Sequence, residues 1–148
     1  MKAVIQRVKF CEVVIDDNIY SKIGEGLLVL LGVVKGDEEK NMKELSEKII
    51  NLRIFQDENE KMNLSVKDIN GEIMIISQFT LCTDNNKSGN RPSFTNAENP
   101  EKAEQMYDEF TKYIKNNFNP EKVKTGKFAA DMKINLLNNG PVTIILDR

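Results

Sequence analysis

Gly26-Leu-Leu-Val-Leu-Leu-Gly-Val-Val34 is apolar at alternate positions on both of its faces. That is the pattern of a central strand covered on two sides. Upstream, residues 2–9 and 11–16 read as two short β-rich runs, so the chain opens as sheet. Downstream, Asp37 stands where a helix cap is expected, with Glu38 and Glu39 in the first turn, and Met42, Leu45, Ile49 and Leu52 form one stripe. The helix should run to about Arg53. Residues 57–70 are polar and read as a loop ending in the turn pair Asn70-Gly71, which feeds a strand from Glu72 to Leu81. Asn99 and Pro100 read as the cap and first residue of a second helix over roughly 100–117, with Ala103, Met106, Tyr107, Phe110 and Ile114 on its apolar face. From Lys122 the pattern returns to β, and a last hairpin is expected to pair Met132–Leu137 with Val142–Leu146 around Asn138-Asn139-Gly140-Pro141. Strands outnumber the two helices. The expected class is therefore α+β, a largely antiparallel, curved or barrel-like sheet with two main helices in a single domain, 1–148.

Composition narrows the function. The 148 residues include no His and no Trp, which removes Ser-His-Asp and Cys-His nucleophile systems, HExxH zinc sites and every imidazole acid-base mechanism. Cys11 and Cys82 are too few and too far apart for a metal framework or a redox pair. They read as two buried thiols in a reducing cytosol. No metal and no cofactor is expected. Gln6 and Arg7 interrupt any secretory core, and the longest apolar run is too short to span a bilayer, so a cytoplasmic protein without a membrane is expected. The net charge of −2 gives no global attraction to nucleic acid. The stretch from Lys112 to Lys133 is an exception, since lysines 112, 115, 122, 124, 127 and 133 outnumber Glu121 and Asp131. It reads as a solvated face or as a contact for phosphate.

Three segments can carry chemistry. In the strand reading of 72–81, period-2 alternation places Gln78 and Thr80 on one face beyond an apolar floor of Met74 and Ile76. Such a strand end suits a pocket whose backbone N–H groups meet a developing oxyanion, although Thr and Gln are also ordinary strand residues. Gly140-Pro141 reads as a turn or as a rigid backbone wedge that presents carbonyls in a fixed direction. Gly89-Asn-Arg91-Pro-Ser-Phe94 is a loop whose single Arg either anchors a phosphate or pairs with a carboxylate.

Taken together, Met1-Lys-Ala-Val-Ile-Gln6-Arg7-Val8, Ser77-Gln78-Phe79-Thr80-Leu81, the 89–94 loop and Asn138-Asn-Gly140-Pro141-Val142-Thr143 resemble, in order and spacing, the D-aminoacyl-tRNA deacylases, first described as D-tyrosyl-tRNA(Tyr) deacylases. The resemblance runs from end to end. It implies a hydrolase that cleaves the ester joining a D-amino acid to the 3′-terminal adenosine of tRNA, and that also clears mischarged glycyl-tRNA. It implies a homodimer whose Gly140-Pro141, in the cis form, enters the neighbour's pocket, with Arg7 holding that motif. Ser77, Gln78, Phe79 and Thr80 are implied at the reaction centre. The segment from Cys82 to Lys87 departs from the aromatic or Gly-rich residues of many relatives.

An aminoacyl ester is labile, having an α-ammonium and a vicinal ribose hydroxyl beside its carbonyl. Positioning and oxyanion stabilisation are then enough, which suits a chain without His. The favoured mechanism is attack by water with the Phe79 and Thr80 N–H groups on the oxyanion and the substrate's ribose hydroxyl assisting; Thr80 as covalent nucleophile is second, because no general base is visible to activate it. Chirality would be read by exclusion, the Gly140-Pro141 carbonyls crowding the side where an L side chain projects. The alternatives are a sibling deacylase with a trans Gly-Pro acting on L-alanyl-tRNA, a nucleic-acid-binding protein without catalysis, and a small-molecule esterase using Thr80. DNA is not expected as a partner, the pI of about 5.3 being acidic.

Overall fold

The computed structural model describes residues 1–84 and 89–148. Along the chain run β1 (Lys2–Ile15), β2 (Asn18–Ile23), β3 (Gly26–Gly32), α1 (Glu39–Ile50), β4 (Phe55–Gln56), β5 (Met62–Leu64), β6 (Glu72–Ser77), α2 (Pro100–Asn117), β7 (Val123–Thr125) and β8 (Lys133–Asp147). β1 is antiparallel to β2, β3 and β8, whereas β3–β6 and β6–β7 are parallel pairs. Each parallel step is bridged by a helix, α1 before β6 and α2 before β7, as a crossover requires. The sheet path β2-β1-β3-β6-β7 curls until its ends approach, and Ser21 Oγ on β2 donates to the Thr125 carbonyl on β7 at 2.7 Å. The result is a nearly closed, barrel-like mixed sheet in which antiparallel pairing predominates.

The two-faced apolar run does what its pattern demands. Leu27, Val29 and Leu31 on β3, with Ile73 and Ile75 on β6, pack against Leu45 and Ile49 of α1 and Phe110 and Ile114 of α2. Leu28, Met74 and Ile76 turn the other way and join Val8, Cys11 and Val13 inside the curve. At the start of β3 the backbones close in so far that a Cβ on Gly26 would lie 1.8 Å from the Glu72 carbonyl oxygen, so only glycine fits.

Several elements depart from the sequence reading. The runs 2–9 and 11–16 fall on one strand, whose register slips against β8 between Gln6 and Val8 and between Val8 and Cys11, and against β2 between Val13 and Val14. β2 has no counterpart in the reading, and the polar stretch 57–70 contains β5, paired with β4. Glu38, not Asp37, caps α1, exchanging backbone and side-chain bonds with Asn41. Asp37 is drawn away by the N-terminal ammonium, which donates to its Oδ1 at 2.5 Å, and by the Val34 N–H on Oδ2 at 2.7 Å. α2 begins where expected, the Asn99 side chain accepting from the Lys102 N–H at 3.0 Å. The largest correction is the terminal hairpin. Asn138-Asn-Gly-Pro does not reverse the chain; β8 runs straight through it and pairs with β1 on both sides.

Both thiols are free and buried. Burial, aided by the charge of Glu12, pushes Cys11 up to about 11, and burial likewise raises Cys82 and the Tyr107 phenol. A group that ionises earlier in the unfolded chain than in the folded one favours unfolding once its unfolded pKa is passed. Stability should therefore be level through neutral pH and fall between pH 9 and about 11, read as a declining urea midpoint; a midpoint equal at pH 8 and pH 10.5 would contradict it.

Candidate functional site

Strand β6 ends earlier than the alternation implies, at Ser77, and the chain turns there into a short 3₁₀ helix over Phe79–Cys82. The Gln78 N–H still reaches the Leu31 carbonyl of β3 at 2.7 Å, the last rung of the sheet. Gln78 and Thr80 do meet, through the turn and not through a shared strand face, and Gln78 Nε2 donates to Thr80 Oγ1 at 2.5 Å. The Gln78 side chain does not cap the start of the turn, while at its end Thr83 Oγ1 donates to the Thr80 carbonyl at 2.6 Å. Among the described residues, the Phe79 and Thr80 N–H groups donate to no hydrogen-bond acceptor, as the first amides of a helical turn are free to do.

Ser77, Gln78 and Phe79 line a cavity of about 520 Å³. Its opposite walls come from the start of α2, with Glu98, Pro100 and Ala103, and from the segment Phe128–Asp131 with Met132. These walls carry no sequence signal of their own, since only the topology brings residues 98–103 and 128–132 beside residue 78. Glu98 is paired with Lys102 at 2.9 Å, and that hydrogen bond holds its carboxyl below the usual carboxylate range. It is a fixed anion at neutral pH, as a proton donor would not be. Phe79, itself largely exposed, stacks edge-on against Phe94 with ring centroids 5.1 Å apart, so the 89–94 loop joins the site by an aromatic contact. Arg91 of that loop makes no ion pair among the described residues. Of the divergent segment Cys82–Lys87, residues 85–87 lie outside those described. Among the described residues, no three Cys, Asp or Glu gather where they could hold a metal ion, and no helix is long and apolar enough to cross a membrane.

Gly140 and Pro141 lie elsewhere. Gln6 pairs with Thr143 and Val8 with Asn138, so the four residues 139–142 stand opposite Arg7 alone. They form a wide bulge rather than a turn. Its Gly140-Pro141 bond is cis, Gly140 has φ +132°, and both residues are exposed. Arg7 is 6% exposed; its Nε donates to the Asn139 carbonyl at 3.0 Å and its Nη1 to the Ile54 carbonyl at 2.6 Å. A Cβ on Gly140 would lie 2.9 Å from Arg7 Nη2. Inside the bulge the Val142 N–H donates to Asn138 Oδ1 at 3.0 Å. Three strand spacings and four rungs separate this bulge from Gln78, which is on the order of 15–20 Å. The protomer's own Gly140 and Pro141 do not line the cavity.

The D-Tyr-tRNA(Tyr) deacylase family model matches residues 4–147. Proteins named D-aminoacyl-tRNA deacylase from Flavobacterium psychrophilum and Clostridium botulinum are 54% and 52% identical, each alignment covering 99% of this chain and 97% of the relative. Among solved structures, one named c-Myc DNA Unwinding Element Binding Protein superposes with a TM-score of 0.95 at 42% identity, over 100% of this chain and 99% of the other. A second, described as a probable eukaryotic D-amino acid tRNA deacylase, gives 0.84 at 13% identity, over 99% and 98%, and shows a shared fold. The chain belongs to the D-Tyr-tRNA(Tyr) deacylase family, a family of hydrolases.

Proposed function

We propose that this enzyme hydrolyses the ester of D-aminoacyl-tRNA, releasing the free D-amino acid and tRNA, and that Ser77, Gln78, Phe79 and Thr80 form its reaction centre. The observation that carries the reading is the pair of unengaged N–H groups of Phe79, which lines a mostly apolar cavity, and of Thr80, the next residue in the turn, which does not itself line it. Donors already in place where an oxyanion develops need no reorganisation during the reaction. Asp131, which makes no ion pair among the described residues, gives the same cavity an anionic group suited to the α-ammonium of the aminoacyl group, whereas the Glu98 charge is already met by Lys102. Water attacks the ester carbonyl, giving up a proton through the vicinal hydroxyl of the substrate's own ribose; the oxyanion forms against the two amides, and as it collapses the bond to the ribose oxygen breaks and that oxygen leaves with the relayed proton.

The Gly140-Pro141 pair, too distant to serve its own cavity, enters that of a second copy and excludes L side chains. A homodimer follows from that reading. Exposed Leu137 and Ile145 on the free edge of β8, the latter 76% exposed, are consistent with it. Exclusion acts on a side chain, so glycyl-tRNA is hydrolysed alongside several D-aminoacyl-tRNAs. The deciding experiment compares D-tyrosyl-, L-tyrosyl- and glycyl-tRNA under matched conditions. Cleavage of the D and glycyl esters with the L ester spared is expected; a wild type that leaves glycyl-tRNA intact at any enzyme concentration refutes exclusion, and preference for L-alanyl-tRNA would favour the sibling reading.

Thr80 receives a hydrogen bond from Gln78, and no imidazole exists to activate it. Thr80→Ala keeps the N–H and should therefore retain at least about a tenth of kcat. A loss of several orders of magnitude, with acyl-enzyme trapped in the wild type, would make Thr80 the nucleophile. DNA binding is favoured as a second reading only by the name of the 42% identical structure; the net charge of −2 opposes it.

A further inference from the structure

The lysines of the stretch from Lys112 to Lys133 do not line the cavity described above, and the structure divides them. Lys133 pairs with Asp17 at 2.7 Å and Lys122 is bound to the Asn70 carbonyl. Lys112, Lys115 and Lys127 make no ion pair among the described residues. They line instead a second cavity of about 590 Å³ between α2 and residues 125–128. Thr111, 8% exposed, stands behind the wall of that cavity with its Oγ1 buried beside the Tyr107 phenol, whose hydroxyl donates to the Ile75 carbonyl at 2.9 Å.

The lining identifies the ligand by its chemistry. Three ammonium groups without ion-pair partners select an anion, and lysine suits phosphate as a point charge. Glu104 and Asp108 border the same space and would repel a bare phosphate, but ionised carboxylates accept hydrogen bonds from ribose hydroxyls. Tyr20, about half exposed at the rim, offers a face for a base. Phe128 lines both this cavity and the one beside Gln78, so the two adjoin across a single side chain. We propose that the second cavity is an RNA subsite, holding a phosphate and ribose of the same tRNA strand whose 3′ end enters the first. The proposal rests on the deacylase reading for the identity of that strand.

The test uses the full-length protein with Lys112→Gln, Lys115→Gln and Lys127→Gln combined. Binding of uncharged tRNA is measured across a salt series, and hydrolysis is measured on D-tyrosyl-tRNA and on 3′-D-tyrosyl-adenosine, which lacks the rest of the strand. The triple variant should weaken tRNA binding about tenfold and flatten the salt slope by at least about 0.7, the contribution of one single-strand phosphate. Its kcat/KM should fall about tenfold further on the tRNA than on the adenosine ester, the difference lying in KM. Unchanged tRNA affinity and slope in a folded triple variant, or equal losses on both substrates, would overturn the subsite. A wild type that hydrolyses neither ester refutes the deacylase reading alone, since tRNA binding still decides whether the cavity holds RNA.

Discussion

Arg7→Ala is expected to lower kcat/KM on D-tyrosyl-tRNA by at least about a hundredfold, which corresponds to about 2.7 kcal/mol of transition-state stabilisation. The guanidinium is nearly enclosed and divides its donors between the Asn139 and Ile54 carbonyls. Truncation leaves both acceptors facing an empty space, at roughly 1–3 kcal/mol for each buried group left unpaired. It also releases residues 139–142, for which Arg7 is the sole counterpart across the sheet. A drop in Tm alone would be structural. The discriminating readout is selectivity, because a loosened Gly140-Pro141 wedge should let L-tyrosyl-tRNA react at a rate closer to that of the D ester. Arg7→Lys keeps the charge but loses the fork that reaches two carbonyls, so it should fall between wild type and alanine. Full activity and full selectivity in Arg7→Ala would place the bulge outside the reaction.

The contrast between Arg7 and Thr80 explains what the sequence can disclose. Strands and helices with a strong period, such as β3 and α2, are legible because burial on one or two faces writes itself into the order of apolar residues. Residues 138–141 mislead for a physical reason: Asn, Gly and Pro serve a turn and a bulge equally well, and only pairing with a distant strand distinguishes them. Asp37 is a sound helix cap locally and loses that position to the N-terminal ammonium, a partner 36 residues away. Strand alternation groups Gln78 and Thr80 by the wrong geometry, yet the turn brings them together all the same. Nothing local marks Glu98 or Phe128 as site residues, because their place in the cavity comes from two crossover connections.

Mixing two inactive variants should restore activity. Phe79→Pro removes one of the two free amides at a position where proline fits, the first residue of a helical turn preceded by Gln78 at φ −140° and ψ 77°. Loss of one oxyanion donor should reduce kcat about 10²–10³-fold. Arg7→Ala is damaged at the bulge and keeps its own Phe79 amide. If each cavity is completed by the Gly140-Pro141 of the other subunit, a mixed dimer contains one intact site: the Phe79→Pro subunit supplies a sound bulge to the sound amides of its partner. Random reassortment makes half of the dimers mixed, so about a quarter of wild-type activity should return after co-refolding or co-expression. Sites complete within one subunit would predict the opposite, because every subunit in the mixture is defective in itself. A mixture no more active than its components, with mixed dimers shown to form, would refute the shared site. Lysine at position 145 supplies the control: Ile145→Lys charges the exposed edge of β8 and, added to both variants, should leave protomers folded and abolish the recovery.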